Sequence, residues 1–147
     1  MAKWLVAAAI AWPILLGGAV WQRAAGRSEA WTTVVYLAAS RLCHQRPERS
    51  FQTAGVQWPV CGRCSGLYLA APVGALVALG SRRRRAIARP VAWLAGASVP
   101  TVVTLATEWF GIAPVGSVLR FTAALPLGAV IAAILVGVVS GPSETIE

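Results

Sequence analysis

The sequence predicts an all-α integral membrane bundle of about four transmembrane helices, with one short interfacial or re-entrant helix. Three observations predict it. Hydrophobic residues make up 57% of the chain and charged residues only 12%, about half the charged share of an ordinary soluble domain. The apolar residues gather into long runs, and a chain of 147 residues is too short to hide that much apolar surface in a core of its own; the bilayer is its natural solvent. The net charge is +8, and the arginines sit in short gaps between the apolar runs, where they meet lipid headgroups and set topology. That placement makes the lipid bilayer the expected partner and argues against nucleic acid. The length suggests a single domain, 1–147.

The first run, Trp4 to Trp21, contains Pro13, Gly17 and Gly18. It resembles a signal peptide in having one Lys before a long apolar stretch, but it outruns a usual signal core. Trp4, Trp12 and Trp21 suit the membrane interface or packing, so a retained first span is expected. Trp31 to Leu42 is apolar but too short to cross alone; Ser28 and Glu29 can start a helix there. This is the interfacial or re-entrant helix. Pro47 keeps it from continuing. Residues 48–60 are polar and punctuated by Gly and Pro, which predicts a surface loop. Spans follow at 61–80, 90–109, where Pro90 suits a first helical position, and 119–140. The tail 141–147 is polar and expected to be mobile.

Small residues recur every four positions within the spans: Gly62, Gly66, Ala70, Gly74 and Ala78; then Ala92, Gly96, Pro100, Thr104 and Glu108; then Ala124, Gly128 and Ala132. Such stripes let helix backbones approach closely in lipid. Orientation is contested within the sequence. The block Arg82–Arg85 belongs on the cytoplasmic side by the positive-inside rule, which puts residues 22–60 outside and both termini inside. Yet the first loop also carries Arg23, Arg27, Arg41, Arg46 and Arg49. The compact block carries more weight.

Whichever way the chain is oriented, the start of the second span, the end of the third and the start of the fourth share one membrane face. Cys61, Cys64, Glu108 and Arg120 therefore lie on that face, and the loop with Cys43 and His44 joins them. All three cysteines of the chain and its single histidine are in this group. Three thiols and an imidazole suit a zinc site of the Cys3His type, with Cys43, His44, Cys61 and Cys64 as ligands. Cys-x-x-Cys is a usual spacing for two ligands from one turn. Adjacent residues rarely both reach one metal, so either Cys43 ligates without His44 or the backbone bends sharply near Pro47. Packed free thiols are the plain alternative. Redox chemistry is another: Cys61 follows Pro59 and opens a helix whose dipole lowers a thiol pKa, and Arg63 would lower it further.

Glu108 is the acidic residue nearest a span interior. An ion pair with Arg120 across the short turn is its plain role; a proton acceptor beside the metal is the sharper one, which leaves Glu108 and His44 as catalytic candidates. Arg46, Arg49, Arg63 and Arg120 are candidates for holding an anionic headgroup or phosphate.

The stretch Cys43-His44-Gln45-Arg46-Pro47-Glu48-Arg49-Ser50-Phe51, followed by Gly55, Pro59, Cys61, Arg63, Cys64, Gly66 and Tyr68, resembles the DUF2085 family of small predicted membrane proteins, whose pattern reads roughly CHQxPxRSF and then PxCxRCxGxY. The likeness is dense over about residues 43–68. It is weaker further on: Thr107, Ser117 and Arg120 match, but Thr104 stands where the family often has Asp and Glu108 where it has Gln. The resemblance implies that the Cys/His motif acts as a unit and supplies no reaction. Three functions are open: a zinc-stapled structural or accessory subunit alongside other membrane-protein subunits, a metal-dependent enzyme or carrier acting on a lipid or quinone, and a thiol–disulfide oxidoreductase using Cys61 and Cys64. The expected location is a bacterial or archaeal cytoplasmic membrane.

Overall fold

Four apolar runs become four long helices in the computed structural model, which describes residues 1–80 and 89–140. They are α1 (Ala2–Ala24), α3 (Gly62–Gly80), α4 (Pro90–Trp109) and α5 (Ser117–Ser140), and each is long and apolar enough to cross a membrane. Each contains one internal proline (Pro13, Pro72, Pro100 or Pro126), which a membrane helix tolerates because neighbours re-satisfy the freed carbonyl. The short helix α2 (Ala30–Leu42) lies between α1 and α3 in sequence. At 13 residues it spans about 20 Å, well short of the ~30 Å hydrocarbon core. It buries Thr32, Val35 and Ala39 at positions i, i+3 and i+7, the spacing of one helical face.

The alternating course of α1, α3, α4 and α5 sets Trp21 and Trp109 at one end and Trp4 and Trp93 at the other, all exposed. Indoles at both ends of an apolar band fit the headgroup level. The protein is an integral membrane protein. The Arg82–Arg85 block and the tail 141–147, on which the orientation and mobility expectations rest, lie outside the described residues.

The helices pack in the order α4, α5, α3, α1, with α2 beside α1. The stripes on α3 and α5 make the closest pair. A β-carbon on Gly66 would run into the carbonyl oxygen of Phe121, one on Gly74 into that of Ala129, and one on Gly128 into that of Leu67. The backbones touch, which is how helices gain van der Waals energy in a solvent as apolar as themselves. The α4 stripe behaves differently. Ala92, Gly96 and Pro100 are exposed, and only the later part of the stripe turns inward: α4 meets α5 through Thr104 together with Ala97 and Thr101, with the Thr101 hydroxyl donating to the Ala123 carbonyl at 2.9 Å. We expect Gly74→Ala to force α3 and α5 apart and lower the thermal unfolding temperature in detergent, at a cost of about 1–3 kcal/mol. Gly96→Ala, with nothing among the described residues within 4 Å of its new methyl, should leave that temperature unchanged or raise it. Equal melting of the two variants would contradict the close α3–α5 contact.

The stretch 48–60, expected to be a loop, is instead a one-turn 3-10 helix (Pro47–Arg49) and an antiparallel hairpin of β1 (Ser50–Thr53) and β2 (Val56–Cys61). Its two-residue turn, Ala54-Gly55, has positive φ at both positions, 49° and 78°, the turn that matches the twist of paired strands. Pro59 lies opposite the register shift between Ser50 and Gln52, where the ladder is already interrupted. Phe51 anchors the hairpin to α5 through an edge-to-face contact with Phe121 at 5.8 Å. The hairpin therefore rests on the mouth of the bundle and carries Cys61 at its end.

Candidate metal centre

Three backbone features bring the thiols together. Cys43 caps the C-terminus of α2 with extended backbone, φ −143° and ψ 140°. Cys61 closes β2, and Cys64 sits in the first turn of α3. Their sulfurs all lie within 4.8 Å of one another. The Cys61 amide donates to the Cys43 sulfur at 3.3 Å, linking residues 18 apart in sequence. All three are free thiols. Tetrahedral zinc with bonds of about 2.3 Å sets sulfurs about 3.8 Å apart. The cluster is thus within roughly 1 Å of that geometry, and these cysteines could hold a metal ion.

Local contacts already favour a thiolate at Cys61. The hydrogen bond from the Cys64 thiol holds the Cys61 thiol well below the ordinary range. The Cys64 and Arg63 amides and the Cys43 thiol add to this, against the opposing effect of burial. Arg63 acts here through its amide; its guanidinium goes elsewhere, as described below.

His44 does not join the sulfurs. Successive side chains of an extended segment point to opposite sides, so with Cys43 extended and buried, His44 is exposed at the rim of the same cavity. The next residue explains the bend. Gln45 has φ 48°, a left-handed conformation that costs a non-glycine residue about 1–3 kcal/mol. Three bonds hold it there. Its side-chain amide donates to the carbonyls of Tyr36 (2.9 Å) and Pro59 (2.8 Å), and Gln57 donates to its carbonyl at 2.6 Å. Gln45 and Gln57 tie the end of α2 to β2 and so fix Cys43 against Cys61. Sequence reasoning missed both, because neither is a ligand type; the signal was Gln45 lying between the Cys-His pair and Pro47.

Across the cavity is a carboxylate clamp. Glu108, near the end of α4, accepts from Arg63 at 2.7 Å through one oxygen and from Arg120 through the other. The expected Glu108–Arg120 pair forms, and Arg63 is a second partner. The three side chains are 11%, 9% and 14% exposed for Glu108, Arg120 and Arg63, so this is a buried network. Arg63 also approaches the Thr104 hydroxyl at 3.5 Å, and Arg120 donates to the Glu48 carbonyl at 3.3 Å. The start of α3, the end of α4, the start of α5 and the 3-10 turn that leads into the hairpin are thereby joined. Between clamp and thiols lies a cavity of about 480 Å³, lined by Cys43, Cys61 and Cys64 and by Arg46, Arg49, Arg63 and Arg120. Residues grouped on one membrane face from span parity alone do share one space.

Comparison with known proteins covers the same region. The family model described as a predicted membrane protein, DUF2085, matches residues 43–134, from the first thiol to within α5. An uncharacterised protein of Methanothermobacter thermautotrophicus is 36% identical over 87 residues, which is 59% of this chain and 78% of that protein. An uncharacterised protein of Methanocaldococcus jannaschii is 33% identical over 88 residues, 59% of this chain and 56% of that one. No solved structure matches.

Proposed function

We propose a zinc-stapled structural or accessory role for this chain, which belongs to the DUF2085 family of predicted membrane proteins. The observation that carries the reading is the convergence of the Cys43, Cys61 and Cys64 sulfurs within 4.8 Å. Three soft thiolates select zinc over hard cations, and the ion would pin the hairpin to the head of α3. A hairpin this small has little core of its own and gains much from such a clip. Zinc with three thiolates carries one net negative charge, which the arginines of the cavity offset. His44 sits at the rim, so the three thiols would hold the ion and a fourth place would stay open, which a metal-dependent enzyme or carrier acting on a lipid or quinone would also need. An accessory place beside other membrane subunits is supported by the exposed Ala92, Gly96 and Pro100 on α4, a surface that another helix could approach closely.

One observation favours a second reading. Cys61 and Cys64 are free thiols in a Cys-x-x-Cys pair with sulfurs within 4.8 Å of each other, which suits a thiol–disulfide oxidoreductase. Elemental analysis of the detergent-purified chain separates the two. We expect about one zinc per chain. A metal-free protein whose Cys61 and Cys64 oxidise reversibly as a pair would overturn the zinc reading and put thiol–disulfide chemistry in its place.

A further inference from the structure

The cavity has more positive charge than its own groups use. Four arginines line it against one carboxylate, Glu108. Arg63 and Arg120 share that carboxylate. Arg46 reaches Glu48 only at 4.0 Å, and both side chains are well exposed there, at 59% and 62%; such a pair contributes little. Arg49 is half-buried, and among the described residues its guanidinium has no hydrogen bond or ion pair. Zinc bound to three thiolates would cancel only part of the surplus. Arg49, half-buried and with no guanidinium partner among the described residues, and the loosely held Arg46 can together present their N–H forks to an oxyanion.

The other lining residues say what is attached to the anion. Leu42, Leu105 and Trp109 lie on the same cavity and are exposed, at 61%, 45% and 82%. Leu105 and Trp109 belong to the last turns of α4, at the level where hydrocarbon gives way to headgroups. Cation and apolar lip together match an amphiphile whose charged end lies at the interface.

We propose that Arg46 and Arg49 hold a phosphate-bearing anion in this cavity, with the lip of Leu42, Leu105 and Trp109 receiving an attached apolar chain. The guanidinium fork fits phosphate oxygens in pairs. The site goes beyond the metal reading and does not require it, because the three thiols that could hold the metal include neither arginine.

Calorimetry on the full chain in neutral detergent tests it, with dioctanoyl phosphatidic acid, dioctanoyl phosphatidylcholine and inorganic phosphate as probes. We expect phosphatidic acid to bind at about one per chain and phosphatidylcholine at least about tenfold more weakly. Arg46→Gln with Arg49→Gln should weaken phosphatidic acid about tenfold or more, and Arg46→Lys with Arg49→Lys should fall between, since charge remains while the fork is lost. Inorganic phosphate binding as tightly, with the same arginine dependence, would uphold the site and make its ligand a free phosphate. Failure of every phosphate probe to bind, or binding indifferent to both double variants, would overturn it. Zinc is measured on the same samples. Zinc without phosphate binding removes only this inference; arginine-dependent phosphate binding without zinc removes only the metal centre.

Discussion

Serine in place of Cys43 is expected to empty the metal centre and free the hairpin while leaving the bundle folded. Cys43 is the one thiol that comes from the α2 side of the site, and it is buried. A serine hydroxyl is a poor zinc ligand, so two thiolates from adjoining turns would remain. Structural zinc contributes on the order of 10 kcal/mol to small folds, and the hairpin would lose most of that. Zinc per chain should drop from about one to near zero after dialysis against a mild chelator. Trypsin should then cut faster after Arg49, at the end of the 3-10 turn. Helical circular dichroism should hardly change, because α3 and α5 remain joined at Gly74 and Gly128, further along the helices from the thiols. Zinc retained at one per chain in the variant would show that Cys43 is not a ligand.

Glu108→Gln is expected to have the largest effect on the stability of the helical bundle. It would leave the Arg63 and Arg120 guanidiniums facing each other in a buried site, with neutral amide oxygen in place of a carboxylate. Removing one partner from a buried ion pair costs about 3–5 kcal/mol, and here one carboxylate serves two cations. The unfolding temperature in detergent should fall by about 10 °C or more. Glu108→Asp, which keeps the charge but shortens the reach, should fall less. If Gln and Asp variants both melt like the parent, the clamp contributes nothing to stability.

Much of the architecture is legible in the sequence because lipid imposes simple rules. Length and hydropathy mark the four spans, and 13 residues mark α2 as too short. Span parity places Cys61, Cys64, Glu108 and Arg120 on one face without any packing detail. The hairpin is not legible. Its strands hold Gln52, Gln57 and Pro59, and its turn is Ala54-Gly55, which lacks the Asn-Gly signal of such turns. What forms it is tertiary: Phe51 on Phe121 and the amides of Gln45 and Gln57. The second partner of Glu108 is hidden for another reason. Arg63 lies between two cysteines and 45 residues from Glu108, so its neighbours in sequence suggest the thiols while its neighbours in space are α4 and α5. The α4 stripe shows the limit of periodicity, which marks a face as smooth without saying what touches it.

The clamp also bears on how the chain enters the bilayer. Synthesis delivers Arg63 first, Glu108 next and Arg120 last. Before α4 is made, Arg63 lacks the Glu108 carboxylate that it meets in the folded chain. Arrival of α4 brings the counter-charge, and arrival of α5 completes it. Because one carboxylate serves cations on two other helices, the ion network at the thiol-lined mouth is complete only when α3, α4 and α5 are all in place.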